Sequence, residues 1–400
     1  MNDEQALGLS LSQFDFDKSI ARADTGAQKY DNRQHIFGRP DVIPLWVADM
    51  DFAVPPAVSA ALQARASHPV FGYHQFPDSL YQAQQNWYRQ RFNWSIERQH
   101  ILMCPGVVPS IHAVINALTA PGDGVIVQSP VYFPFFSAVT ETGRQLVLNP
   151  LLETASGYQM NLEQLEAQAR AGAKMLLLCS PHNPVGRVWQ QVELKALLAI
   201  ADRYDLTIIS DEIHMDLVFA GHRHIPLTTL AEPGRVITTL SASKTFNIAG
   251  LNLSSLIIES TQQRRLIEAE FKRWHVSAAN PFSIVATEAA YAEGADWLEA
   301  LLAYLAKNRD WVTGFFKENL PAIHIKPIEG TYLLWLDCRA LAFDDKALRQ
   351  FFIEDCGVGM NPGAMFGEGG SGFMRMNIAA PTAVLQQACQ QIAVACKQRF

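Results

Sequence analysis

Five short runs of branched or aliphatic residues recur through the middle of this chain: Val125 to Val127, Met175 to Leu178, Leu206 to Ile209, Val236 to Leu240 and Leu253 to Ile258. Runs without polar alternation suit strands that are covered on both faces, the environment of a parallel sheet. Alongside them, Pro109 to Leu118, Val192 to Tyr204 and Gln262 to Trp274 carry apolar residues at helical spacing. The chain therefore reads as α/β, with a mostly parallel central sheet flanked by helices.

At 400 residues the chain exceeds the size at which one core usually stops growing. The rhythm of strands and helices fills 55–290, the expected large domain. After it come a long helix at Asp296 to Asn319, a strand at Thr331 to Leu336, a helix near Lys346 to Glu354, a strand at Phe373 to Ile378 and a last helix from Thr382. That is α+β composition, and 291–400 is the expected small domain. Residues 1–54 contain "PLWVADMDF" at 44–52, too irregular to form a domain alone. This segment is expected to join the small domain and cover a cleft.

Three motifs follow strand ends. "SPHNPVG", 180–186, makes a rigid turn after the second run, at the sheet edge where open α/β sheets bind ligands. Its residues equally suit an ordinary strand-to-helix turn. "SDEIH", 210–214, puts Asp211 at the same edge, where a carboxylate must find a cation or a donor. A helix cap or structural ion pair is the plainer use of such an aspartate.

"SASKTFNIAG", 241–250, places Lys244 after the fourth run and before apolar residues. S-x-x-K also marks penicillin-binding serine enzymes, but the S-D-N and K-T-G partners that chemistry needs are absent. A buried lysine with a lowered pKa can itself attack an aldehyde to give a Schiff base. A lysine that merely ends a strand remains the commoner case. "CPGVVPS", 104–110, opens a helix whose first amides suit an anion. "FGEGGSG", 366–372, precedes a strand rather than a helix, so it is no dinucleotide fingerprint and instead turns the chain to present Arg375.

The net charge of −7, with no basic run, leaves nothing to neutralise nucleic-acid or anionic-lipid phosphates. A small molecule or another protein is the expected partner; nucleic acid and membrane are not. Six scattered cysteines with no zinc spacing suit a reducing compartment. The opening MNDEQALGLS lacks the basic and apolar regions of a signal peptide, and no apolar run reaches membrane length. A cytoplasmic location is expected.

A lysine for an aldehyde, an aspartate for a ring nitrogen, an asparagine at a proline turn and an anion loop are together what pyridoxal phosphate needs. In the order PGV, SPVY, SPHNPVG, SDEIH, SASK, FMRMN, the chain resembles the fold-type-I, aspartate-aminotransferase-like superfamily over nearly its whole length. Within it, "PLWVADMDF", "SPHNPVGRVW", "SDEIHMDL" and "SASKTFNIAGL" resemble the MalY/PatB branch of cysteine C–S β-lyases.

The resemblance implies a PLP-dependent transferase fold and roles at matching positions. Lys244 would form the Schiff base and then act as base at the substrate's Cα. Asp211 would pair with the pyridine nitrogen, Asn183 with the ring O3′, and Tyr132 would stack on the ring. The phosphate would lie on Gly106, Val107, Val108, Ser241 and Ser243, with Tyr73 reaching in from the second subunit of a homodimer. Arg375 would clamp the substrate carboxylate, helped by Asn183 and by backbone near Val47 and Ala48.

Two departures from the common aminotransferase pattern stand out. His214 replaces the tyrosine of D-x-x-Y, and Asn252 stands where a phosphate-binding arginine is usual. Both are shared with the lyase branch. The implied reaction is α,β-elimination on L-cystathionine or a related L-cysteine S-conjugate, giving a thiol, pyruvate and ammonia. The alternatives are an aminotransferase using the same residues, and a cofactor-binding regulatory module acting through a protein partner.

Overall fold

The computed structural model describes residues 14–399, so the segment read for a signal peptide lies outside the described residues. Its centre is a seven-stranded sheet. In chain order the strands are β1 (Ile101–Cys104), β2 (Gly124–Val127), β3 (Gln145–Leu148), β4 (Met175–Cys179), β5 (Thr207–Asp211), β6 (Val236–Leu240) and β7 (Ser254–Ile257). Their order across the sheet is β1-β7-β6-β5-β4-β2-β3. Strands β6, β5, β4, β2 and β3 pair in parallel, while β7 runs antiparallel to both β6 and β1. The fifth apolar run is thus the one reversed strand. Strands β1 and β3 had no counterpart among the runs.

Strand β4 shows why continuous apolar runs were needed. Leu176 and Leu178 pack in one cluster with Leu165, Leu194, Leu197 and Ala201. Met175, Leu177 and Cys179 pack in another with Ile111, Val114, Phe135 and Ile267. Successive side chains of a strand point to opposite faces, so both layers draw on the same five residues. Each fully buried aliphatic residue here contributes roughly 1.5–3 kcal/mol.

Helix α1 spans Val107–Leu118, two residues earlier than the apolar spacing suggested. Pro109 sits in its first turn, where a missing N–H costs nothing. Helices α2 (Gln191–Tyr204) and α3 (Thr261–Trp274) follow the expected spans within a residue. Reciprocal bonds between Gln190 and Glu193 cap α2, and Ser260 accepts from the Gln263 amide to cap α3.

A second sheet has the order β8-β9-β11-β10, all antiparallel: β8 (His324–Ile325), β9 (Leu333–Asp337), β10 (Asn361–Pro362) and β11 (Phe373–Asn377). Residues Ile43–Pro44 pair in parallel with Val358–Gly359, and the Asp51 amide donates to Ala379 O at 2.9 Å. These contacts bring the 44–52 stretch against the second sheet. No helix among the described residues is long and apolar enough to cross a membrane.

Candidate active site

Strands β1, β4, β5 and β6 all point the same way, so the chain leaves them at one edge of the sheet. Each exit carries one motif. After β1, Gly106 takes φ 146°, a conformation that side chains avoid, and α1 starts at the next residue. The amides of Val107 and Val108 are therefore among the first of α1, which have no partner within the helix.

After β4 the chain passes two cis bonds, Ser180–Pro181 and Asn183–Pro184; a third lies at Ser129–Pro130. Gly186 closes this turn at φ 71°, where a side chain would also come within 2.5 Å of Ile328. His182 Nε2 donates to Pro130 O at 2.9 Å, and the Tyr132 amide donates to Asn183 O at 3.1 Å. The turns bearing Asn183 and Tyr132 are thus tied together.

Asp211 is the last residue of β5, and Lys244 lies on the helical turn Ala242–Thr245 after β6. That turn is capped by Ser241, whose hydroxyl accepts from the Ser243 amide and donates to Leu253 O at 2.7 Å. Ser241's one proton is committed, whereas the Ser243 hydroxyl has no protein partner among the described residues. Thr245 donates to the buried Asp216 at 3.0 Å and pins the turn from behind.

These exits surround a cleft of about 990 Å³. Every residue singled out from the sequence lines it except Tyr73: Val47, Ala48, Gly106, Val107, Val108, Tyr132, Asn183, Asp211, His214, Ser241, Ser243, Lys244 and Arg375. Tyr73 stands fully exposed on the surface of this chain.

Burial dominates the electrostatics. It pushes Asp211 up to about 6, even though Oδ1 accepts from the Ile213 amide and the Thr239 hydroxyl. Burial brings Lys244 down to about 8, with Asp49 opposing and Arg375 assisting. His214 falls to about 3 through burial and the neighbouring Lys244 and Arg375 charges, so its ring is neutral. Arg375 falls to about 10 and remains a cation at neutral pH.

Arg375, on β11, donates from Nη1 to Asn183 Oδ1 at 3.0 Å and from Nη2 to Asn361 Oδ1 and Trp46 O at 2.8 and 2.9 Å. Its Nε is buried without a partner, as is His214 Nδ1. A guanidinium held on one side with an N–H left over is set to receive an anion.

The "PLWVADMDF" stretch contributes through its backbone. Five consecutive carbonyls accept from side chains in or beside the cleft. Trp46 O takes Arg375, while Val47 O and Asp49 O both take Asn377 Nδ2, at 2.6 and 2.7 Å. Ala48 O takes Lys244 Nζ at 2.7 Å and Tyr332 OH at 2.9 Å, and Met50 O takes Asn247 Nδ2 at 3.0 Å. Val47 and Ala48, read as part of a carboxylate clamp, here present acceptors already in use; a carboxylate would need their N–H groups instead.

Tyr332, Asn361, Asn377, Asn247 and Trp46 were not singled out from the sequence. Asn377 was within reach, because residues two apart on a strand share a face and Arg375 had been picked.

The model of the aminotransferase class I and II family matches residues 40–392. The chain belongs to that family. Cystathionine beta-lyase PatB of Bacillus subtilis (strain 168) is 38% identical to it, over 95% of this chain and 99% of its own. Protein MalY of Escherichia coli (strain K12) is 34% identical, over 94% and 96%. The crystal structure of the PLP-bound C–S lyase from Staphylococcus hominis superposes with a TM-score of 0.90 at 31% identity, covering 97% of this chain and 100% of that one.

Pyridoxal phosphate fits the side chains present. Lys244 offers an amine close to neutrality. Asp211 is a buried carboxylate whose hydrogen bonds all fall on Oδ1, and a ring N–H⁺ would supply the cation it lacks. The first turn of α1 and Ser243 offer donors to a phosphate.

Proposed function

We propose that this chain is a pyridoxal-phosphate-dependent carbon–sulfur β-lyase. It cleaves L-cystathionine or related L-cysteine S-conjugates to a thiol, pyruvate and ammonia. The observation that carries this reading is the convergence of Lys244, Asp211, Asn183 and Arg375 on one cleft, in a chain collinear with PatB, MalY and the Staphylococcus hominis lyase.

When bound, the cofactor supplies an aldehyde for an amine and a ring that withdraws electrons from the substrate's Cα. Asp211 would hold the ring nitrogen protonated. Asn183 would donate through its amide to the ring oxygen, and Tyr132 would offer its ring to the cofactor's. The amides of Val107 and Val108 and the Ser243 hydroxyl would hold the phosphate, whereas Ser241, its proton committed to Leu253 O, would serve only by capping the turn that carries Ser243. Arg375 takes the substrate carboxylate and so fixes which bond at Cα faces Lys244. Lys244 removes the Cα proton; the Cβ–S bond then breaks, and sulfur leaves with the bonding pair. A base poised near neutral pH suits both removal of that proton and its return to sulfur.

In a homodimer, Tyr73 of each copy reaches the cleft of the other, and the protein works in the cytoplasm. We read residues 55–290 as the cofactor-binding domain, 291–400 as the small domain and 1–54 as the segment that closes the cleft. A panel of L-cysteine S-conjugates, assayed for pyruvate without any 2-oxo acid, tests the function. Pyruvate from several thioethers supports it. Turnover that begins only when a 2-oxo acid is added makes the protein an aminotransferase.

A further inference from the structure

Asn377 stands two residues beyond Arg375 on β11, and its side chain is fully buried. Nδ2 donates to Val47 O at 2.6 Å and to Asp49 O at 2.7 Å, while Oδ1 accepts from the Ala379 amide at 2.7 Å. One side-chain amide thus holds the peptide groups on both sides of the one that carries Ala48 O. That carbonyl cannot swing without breaking one of these bonds. Asn247, three residues past Lys244, adds a second anchor: it accepts from the Met50 amide and donates to Phe52 O, both at 2.9 Å.

Ala48 O itself receives two donors, Lys244 Nζ at 2.7 Å and Tyr332 OH at 2.9 Å. A carbonyl oxygen has two lone pairs, so both are in use. Tyr332 is fully buried, its ring lies edge-on to His214 at 6.0 Å, and its own carbonyl accepts from the Ile378 amide at 2.9 Å. While Lys244 rests on Ala48 O, the tyrosine is a second partner. Once the amine leaves, the tyrosine is the one donor left to that oxygen among the described residues, and it spares a part-buried carbonyl from standing unpaired.

We propose that Asn377 and Tyr332 are positioning residues for the reacting amine: Asn377 aims the Ala48 carbonyl and Tyr332 keeps it in place, so that Lys244 returns to one fixed point each time it carries a proton. This depends on Lys244 being the base at Cα, as in the proposed function. Burial works most against the ammonium; Asp49 favours it, Arg375 opposes it and Asp211 favours it. Ala48 O is its one hydrogen-bond partner among the described residues, so direction comes from that oxygen. A neutral acceptor orients an ammonium without binding the proton to a counter-charge, and the proton can still be passed on.

Proton removal is read without any bond to sulfur by following exchange of the Cα proton of L-norleucine in D2O, by NMR, with the holoenzyme. Tyr332→Phe removes one oxygen and keeps the ring against His214; Asn377→Ser removes the amide. Each should slow exchange at saturation about ten-fold, as a small misplacement of a reacting group does. The norleucine concentration at half-saturation should stay the same, because Arg375 keeps its own bonds. In Lys244→Ala, with ethylamine supplied as the base, the same two substitutions should cost nothing further, since their effect passes through Lys244. An equal loss in both backgrounds marks plain structural damage and overturns the proposal, as does unchanged exchange in the single variants.

The cofactor-free protein gives a second readout, the pH midpoint of Schiff-base formation with an aromatic aldehyde. An ammonium that loses its aimed acceptor is disfavoured, so Asn377→Ser should move the midpoint down from about 8, by roughly half a pH unit to one. A cleft merely loosened to water would move it up, toward the ordinary lysine value near 10.4, and contradict the proposal. Norleucine exchange in the wild type with no pyruvate from L-cystathionine would sink the lyase reading instead, and the two readouts would still decide the roles of Asn377 and Tyr332.

Discussion

Lys244 Nζ donates to the carbonyl oxygen of Ala48 at 2.7 Å, joining residues 196 positions apart. The acceptor is neutral, so it steadies the ammonium far less than a carboxylate would, and burial holds the amine near 8. In the cofactor-free protein, the rate of Schiff-base formation with an aromatic aldehyde should therefore rise with pH through about 8 and then level off. The neutral amine is the attacking form, which sets the sign. A rate that keeps rising toward the ordinary lysine range near 10.4 would contradict the placement. Lys244→Ala should lose the Schiff-base absorbance and, with the base gone, at least about 10²-fold in turnover.

Asp211→Asn should make the cofactor-free protein more stable and the holoenzyme worse. Folding raises this carboxyl from 3.8 to about 6, so the native state binds the proton better than the unfolded chain does. The cost of ionising it is absent below about 3.8, builds between those values and is full above 6. Denaturant titration at pH 7 should show a gain on the order of 1–3 kcal/mol that vanishes near pH 3.5, alongside weaker cofactor retention. Equal stability of the two proteins at pH 7 would mean that Asp211 is not held as described.

Arg375→Lys should act on substrate binding. Lysine has three donors but no planar fork, so it cannot hold Asn183, Asn361 and Trp46 while facing a carboxylate. KM should rise by about 100-fold, with a much smaller fall in kcat. Steady-state kinetics showing an unchanged KM would remove the carboxylate from Arg375.

Tyr73 sits fully exposed beside Val70 and Phe71, whose side chains are also largely open. Sedimentation should give twice the chain mass of 44.4 kDa. Tyr73→Ala should keep that mass and yet release cofactor about ten-fold more readily, through loss of a bond to a charged phosphate. A monomeric, fully active wild type would exclude a shared site.

What was legible in the sequence was whatever a strand's surroundings impose on its own residues. Met175 to Cys179 must satisfy two cores at once, so five apolar residues in a row marked the strand. Gln145–Leu148 is an edge strand with an exposed first residue, and nothing in four residues separated it from a loop. The direction of Ser254–Ile257 was equally hidden, because local composition does not encode which way a buried strand runs. In the cleft, Lys244, Asp211 and Asn183 stood out as polar residues closing apolar runs. The five carbonyls of 46–50 did not, since a backbone acceptor leaves no mark on residue identity. Tyr332 lies in the apolar stretch "TYLLW", where nothing in the neighbouring residue types marks a hydroxyl that donates to Ala48 O.

The central claim is that Lys244 works at Cα and sulfur leaves from Cβ. Its most direct test is the product balance for L-cystathionine with purified holoenzyme and no 2-oxo acid present. The account predicts one homocysteine, one pyruvate and one ammonia for each cystathionine consumed, through many turnovers. Consumption that stops after a single equivalent of enzyme and resumes only with an added 2-oxo acid would contradict it.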